Sequence, residues 1–278
     1  MSSYTLSNPR RPRIAVFDSG VGGLTVLRAI AALLPGADYL YFGDTARLPY
    51  GTKSQETVAR CVTEAGKFLE SQGIDMLVIG CNTASALALY DVREAVSIPV
   101  IGVIEPGAES AAAASHSREA IVCATEATVS SHAYQRALAR RGFATFEKAC
   151  TLLVPLVEEG WIDHPVTEQV ARIYIIEALR LAPANTDVLV LGCTHYPLIK
   201  PIIRRVVPQR ITIVDSAEAT AATVAAELAE EFRAAATAPE AKPSYRFYVT
   251  DSTEKFTRMA PLFLGFAVER VEWVDLGQ

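Results

Sequence analysis

The stretch Asp75-Met-Leu-Val-Ile-Gly-Cys81-Asn-Thr83 returns 112 residues further on as Asp187-Val-Leu-Val-Leu-Gly-Cys193-Thr-His195. Five of the nine positions are identical, and both copies run from an acid through unbroken apolar residues into Gly-Cys. An unbroken apolar run of this length reads as a strand buried on both faces of a parallel sheet, and the glycine that closes it marks the hand-over to a helix. Buried strands resemble one another by composition alone, but composition does not explain the shared Gly-Cys turn. A weaker echo sets residues 14–19 against 120–125, again with a small hydroxyl residue, Ser19 or Thr125, after the strand. Two similar α/β lobes are implied.

Working outward, short β-branched runs at 13–18, 38–42, 99–104, 120–124, 211–214 and 245–250 join 75–80 and 187–192 as strand candidates. Between them, Val58, Cys61, Val62, Ala65, Phe68 and Leu69 recur at helical spacing, and helices are predicted over 131–141, 167–181 and 217–235. Residues 239–244 read as a surface loop. The expected fold is α/β, with two pseudo-symmetric lobes, each a mostly parallel sheet flanked by helices, and the active site in the cleft between them. Glu105-Pro-Gly107 breaks the run after the fourth strand. Residues 1–105 and 214–278 are therefore expected to form the first lobe, and 106–213 the second.

Composition narrows the partners. The 278 residues are half hydrophobic and 21% charged, enough for two real cores and incompatible with disorder. The formal charge is −5, and the one basic group is Arg10, Arg11 and Arg13, which argues against nucleic acid or an anionic membrane surface. The longest charge-free stretch, between Asp75 and Asp91, is interrupted by Gly80, Asn82, Thr83 and Ser85 and is no spanning helix. Residues 1–12 are polar and read as a loose tail, not a signal peptide, so a cytoplasmic protein is expected. The five cysteines, 61, 81, 123, 150 and 193, are odd in number and lack a C-x-x-C pair, which fits free thiols and not a disulfide framework or a metal site.

Ligands of parallel sheets sit beyond the carboxyl ends of the strands, which is where Cys81 and Cys193 fall. A helix N-terminus there can pull a thiol down toward its working range. If the lobes face each other, one thiol from each side flanks a small ligand, the geometry of a two-base proton exchange. One thiolate removes a proton from one face of a carbon while the opposite thiol returns one to the other face. Cys61, Cys123 and Cys150 lie inside strand or helix patterns and read as packing residues.

Other strand ends carry candidate groups. Asp18-Ser-Gly20 with Gly22 and Gly23 allows close backbone approach to an anion, but Gly20-Val-Gly22-Gly23 lacks dinucleotide spacing. Asp18 reads as a helix cap or as an acid that polarises a thiol. His195 reads as a packing histidine or as a proton holder beside Cys193. Pro49-Tyr-Gly51 is an ordinary turn signal, and Glu158 by spacing alone is a solvated acid. An amino-acid carboxylate would be held by backbone N–H groups with Ser19, Asn82, Thr83, Thr128 and Thr194.

Taken together, Phe17-Asp-Ser-Gly-Val-Gly-Gly23, Gly43-Asp-Thr-Ala-Arg-Leu-Pro-Tyr-Gly51, Gly80-Cys-Asn-Thr-Ala-Ser85, Gly102-Val-Ile-Glu-Pro-Gly107, Ala127-Thr-Val-Ser-Ser131 and Gly192-Cys-Thr-His-Tyr-Pro-Leu198 stand in one order along the chain. In this the chain resembles the cofactor-independent glutamate racemases of the aspartate/glutamate racemase superfamily. The resemblance implies that Cys81 and Cys193 are the acid/base thiols, serving D- and L-glutamate respectively, with Asp18 assisting the first and Glu158 and His195 the second. It implies a substrate site made of Asp18, Ser19, Pro49, Tyr50, Gly51, Asn82, Thr83, Thr128, Thr194 and His195. It further implies glutamate as the small-molecule partner, no pyridoxal phosphate or metal, a homodimer, and supply of D-glutamate to peptidoglycan. Family members often carry Gly-Thr where this chain has Ala124-Thr125, so the contact made by Thr125 stays open.

Three other readings compete. A thiol redox protein would cycle Cys81 and Cys193 through a disulfide, but the missing C-x-x-C counts against it. A two-lobed periplasmic binding module needs a secretion signal. The same chemistry on aspartate or another acidic amino acid is set by pocket depth, which spacing does not encode.

Overall fold

The computed structural model describes residues 10–237 and 242–276. Most of the expected N-terminal tail and the start of the loop expected at 239–244 lie outside the described residues. The described residues form ten strands: β1 (Arg13–Asp18), β2 (Asp38–Gly43), β3 (Met76–Ile79), β4 (Val100–Gly102), β5 (Glu119–Ala124), β6 (Ala144–Ala149), β7 (Val188–Gly192), β8 (Thr212–Asp215), β9 (Ser244–Val249) and β10 (Val271–Trp273). They form a six-stranded sheet in the order β10-β9-β2-β1-β3-β4 and a four-stranded sheet in the order β6-β5-β7-β8. Every pairing is parallel. The fold is α/β with helices flanking two sheets, as the apolar runs imply.

The two sheets repeat one another. The order β2-β1-β3-β4 corresponds strand for strand to β6-β5-β7-β8, with β9 and β10 added at one edge of the first sheet. Cys81 and Cys193 therefore follow equivalent strands, β3 and β7, and the weaker echo pairs β1 with β5. β8 ends at Asp215, two residues beyond the lobe boundary expected at 213.

Alternation along β1 shows why the first sheet is covered twice. Ala15 and Phe17 face Val58, Cys61, Val62, Ala65 and Leu69 of the helix Gln55–Ser71. Ile14 and Val16 face the helix Leu24–Leu33 and the helix Thr253–Leu264, in a core that runs on through Ile121, Leu189 and Leu191 of the second sheet. Each fully buried side chain of this size contributes about 1.5–3 kcal/mol, so one continuous core holds the two sheets in fixed relation. The helix Ser216–Glu227 packs on both Leu24–Leu33 and Ile104–Ala114 and bridges the halves.

Two strands and one helix break depart from expectation. β6 is half-exposed along most of its length and carries Glu147 and Lys148, so it lacks the apolar run that marks a strand. β10 is a three-residue edge strand. The helix expected over 217–235 is two, Ser216–Glu227 and Glu230–Ala236, separated by extended Leu228 and Ala229. No Gly or Pro marks the break; the second segment turns away to receive the Gly36 N–H on the Ala236 carbonyl at 2.7 Å.

Candidate active site

Cys81 ends the β3 motif and caps the helix Asn82–Leu87, its sulfur accepting from the Ala84 N–H at 3.5 Å and lying 3.6 Å from Ser19 Oγ. Burial and then the nearby Asp18 carboxyl push the thiol up to about 12, against the two backbone contacts and the Ser19 hydroxyl that favour the thiolate. The lowering expected from the helix end is overruled, because a six-residue helix with one aligned N–H cannot replace the water removed from the sulfur. Burial thus favours the protonated thiol at Cys81.

Cys193 faces a different environment. Its sulfur lies 3.9 Å from His195 Nδ1, and His195 Nε2 lies 3.2 Å from Glu158 Oε1. Burial alone would lower the imidazole, but hydrogen bonds and charge from Cys193 and Glu158 outweigh it and push His195 up to about 10. The same hydrogen bond lowers Glu158 despite its partial burial. At neutral pH a cationic imidazole thus stands between a carboxylate and the Cys193 sulfur. Glu158, which spacing left as a solvated acid, is brought here by the helix Leu153–Glu158.

Asp18 ties the halves together. It is buried at the end of β1, with Oδ1 accepting from the Gly20 N–H at 2.8 Å and Oδ2 facing the Thr194 hydroxyl at 3.4 Å. Burial raises its pKa above the ordinary carboxylate value, opposed by the His195 charge and the Gly20 and Gly23 amides. Glycine at position 22 is required by close approach. A Cβ there would run into Thr194 Oγ1 and sit 2.6 Å from His195 Nδ1.

Opposite, three hydroxyls close a triangle across the lobes. Thr83 and Thr125 are 2.9 Å apart, Thr125 and Thr128 2.9 Å, and Thr83 and Thr128 3.3 Å. Asn82 Oδ1 accepts from the Tyr134 hydroxyl at 2.7 Å, which fixes the amide and leaves its buried Nδ2 without a partner among the described residues. Such a donor is satisfied only by a ligand or water.

These groups line one cleft of about 450 Å³. Ser19, Pro49, Tyr50, Gly51, Cys81, Asn82, Thr83, Glu158, Cys193, Thr194 and His195 lie on its wall. Asp18 and Thr128 stand behind it, reaching the cleft through Thr194 and through Thr83 and Thr125. Tyr50 borders the cleft but is 1% exposed as a whole residue, so the open part of this turn is Pro49 and Gly51 on either side of it. Sequence reasoning left Thr125 open and did not place Leu48, Glu126, Thr151, Glu159 or Lys255 here. For Thr125 the signal was present in the echo that matched it to Ser19.

Comparison with known proteins agrees with this geometry. The family model described as Asp/Glu/Hydantoin racemase matches residues 22–224. The glutamate racemase of Koribacter versatilis is 56% identical over 287 residues, covering 96% of this chain and 99% of its own. Among solved structures, a Bacillus anthracis glutamate racemase is similar with TM-score 0.88 and 36% identity, over 95% of this chain and 98% of its own. The Francisella tularensis glutamate racemase in complex with D-glutamate gives TM-score 0.85 and 36% identity over 96% and 98%. Matched motifs, a doubled sheet order and relatives aligned over almost their whole length lead to one conclusion: the chain belongs to the Asp/Glu/Hydantoin racemase family, among its glutamate racemases.

Proposed function

We propose that this chain interconverts L- and D-glutamate by moving the α-proton between two cysteines, without pyridoxal phosphate or metal. The observation that carries the mechanism is the placement of Cys81 and Cys193 after equivalent strands on the wall of one cleft. From L-glutamate, a Cys193 thiolate paired with protonated His195 takes the α-proton, and the electron pair stays on the α-carbon. The Cys81 thiol, kept protonated by burial, gives its proton to the opposite face. The proton count of the pair is unchanged, and the exchanged protonation states run the reaction backward. Asp18 supports Cys81, and Glu158 holds His195. Ser19, Asn82, Thr83, Thr194 and the Pro49–Gly51 backbone hold the substrate, with Thr125 and Thr128 behind Thr83.

The same reading keeps the division into lobes 1–105 with 214–278 and 106–213, with the second boundary moved past the end of β8 at Asp215, a homodimer, and a cytoplasmic role in supplying D-glutamate for peptidoglycan. The family resemblance supports these points, and among the described residues no helix is long and apolar enough to cross a membrane. Circular dichroism of L-glutamate, D-glutamate and both aspartates, incubated with dialysed enzyme in chelator, tests the proposal. Loss of optical activity from both glutamates is expected. A requirement for pyridoxal phosphate or metal, or racemisation of aspartate alone, would defeat it.

A further inference from the structure

Behind the cleft, and separate from the groups assigned to proton transfer, lies a fully buried carboxylate. Asp44 has no solvent exposure. It accepts from Arg47 Nε at 2.9 and 2.8 Å, from the Thr250 hydroxyl at 2.9 Å and from the Tyr50 hydroxyl. A buried charge persists only when its lone pairs are filled, and here they are filled from three places along the chain. Arg47 precedes the turn Pro49-Tyr50-Gly51, Tyr50 lies within it, and Thr250 follows β9. The Asp44 N–H donates to the Asp18 carbonyl at 3.0 Å, which joins the same hub to the end of β1.

The direction of the Tyr50 ring gives this hub a function. The ring packs against Phe17 with centroids 6.3 Å apart, and burial, followed by Asp44, raises its phenol well above the ordinary value, so it remains a donor. With Tyr50 turned into the core, the lip of the cleft is presented by Pro49 and Gly51, the residues that flank it. Their position is set by whatever anchors the turn. A Cβ on Gly51 would lie 3.5 Å from Thr125 Cβ, so the lip abuts the opposite lobe and a small displacement changes the width of the cleft.

We infer that Asp44 is a positioning residue for substrate binding: acting through Tyr50 and Arg47, it holds the Pro49–Gly51 backbone at the distance at which the cleft accepts an amino acid. The inference rests on the function proposed above. Loss of such an anchor weakens ground state and transition state alike, so KM rises while kcat and the primary deuterium isotope effects hold.

The test compares Asp44→Asn, Tyr50→Phe and Thr250→Val with the wild-type chain, with steady-state racemisation of L- and D-glutamate read by circular dichroism and amide hydrogen exchange read over residues 48–52. About a tenfold rise in KM is expected for Asp44→Asn, with a smaller rise for Tyr50→Phe and faster exchange in both. The double variant should be no worse than Asp44→Asn, because the Tyr50 hydroxyl acts through that carboxylate. If Asp44→Asn fails to fold, Tyr50→Phe and Thr250→Val decide. Wild-type KM and exchange in the folded variants would overturn the inference, as would a loss confined to kcat with altered isotope effects. If the wild-type chain leaves glutamate untouched, the proposed function falls, and the exchange rates still decide whether Asp44 holds the turn.

Discussion

His195 Nε2 lies 3.2 Å from Glu158 Oε1 while Nδ1 of the same ring faces the Cys193 sulfur at 3.9 Å, so one buried imidazole couples a carboxylate to a thiol. Folding raises His195 from 6.5 to about 10. A group raised on folding contributes stability that is complete below its unfolded value and is lost as pH climbs through the folded one. Glu158 is lowered, so its contribution is complete above its unfolded value of 4.5 and fades in acid. Both are at full strength between about pH 4.5 and 6.5. Thermal melts of wild type and Glu158→Gln across pH should show the largest Tm gap in that window, shrinking above pH 6.5 and closing as pH passes 10. A gap that stays constant to pH 11 would separate stability from the pair.

Removing either thiol should stop racemisation, since the proton must leave one face and arrive on the other. Cys81→Ala and Cys193→Ala are each expected to lower kcat by about 10³-fold or more, within the range for a lost general acid or base. Polarimetric assays in both directions check this. A single Cys→Ser variant is expected to retain slow elimination from β-chloro-alanine, where abstraction alone is demanding. Near wild-type racemisation in either alanine variant would break the two-base assignment.

Asp18→Asn and His195→Asn should injure opposite half-reactions. An unchanged equilibrium forces equal losses of kcat/KM in the two directions, so the asymmetry must appear in kcat and KM separately or in primary deuterium isotope effects. Slower abstraction from D-glutamate is expected for Asp18→Asn, and from L-glutamate for His195→Asn. Unchanged isotope effects with full activity would return Asp18 to a turn-capping role and His195 to packing.

Gly22→Ala tests how closely the lobes must approach. The added methyl would overlap the Thr194 hydroxyl and stand 2.6 Å from His195 Nδ1. Relief requires moving His195 or parting the lobes, with an expected loss of about 1–3 kcal/mol in stability. Activity should fall further than that loss accounts for, because Asp18, Thr194 and His195 share the contact. Denaturant unfolding and turnover measured on one preparation separate the two effects, and wild-type values in both would show the approach to be looser than the structure has it.

The sequence by itself determined the α/β class, the doubling of the sheet and the two cysteines. Each is written locally: runs such as 75–80 and 187–192 are apolar throughout, only the interior of a parallel sheet buries both faces of such a run, and the Gly-Cys turn has to follow it. Resemblance then named Glu158, which no spacing could promote. Tertiary structure alone decided what depends on residues distant in the chain. β6 is a strand because β5 pairs with it, not because its half-exposed sequence demands one. Tyr50 turns inward because Asp44 and Phe17 receive it. Thr125 joins the wall because Thr83 crosses from the other lobe. The protonation of the site follows the same rule: at Cys81 the cost of desolvation exceeds the pull of the helix end, and at His195 two acceptors exceed the cost of desolvation. That balance is set by the surroundings in three dimensions, which a residue's neighbours in sequence do not specify.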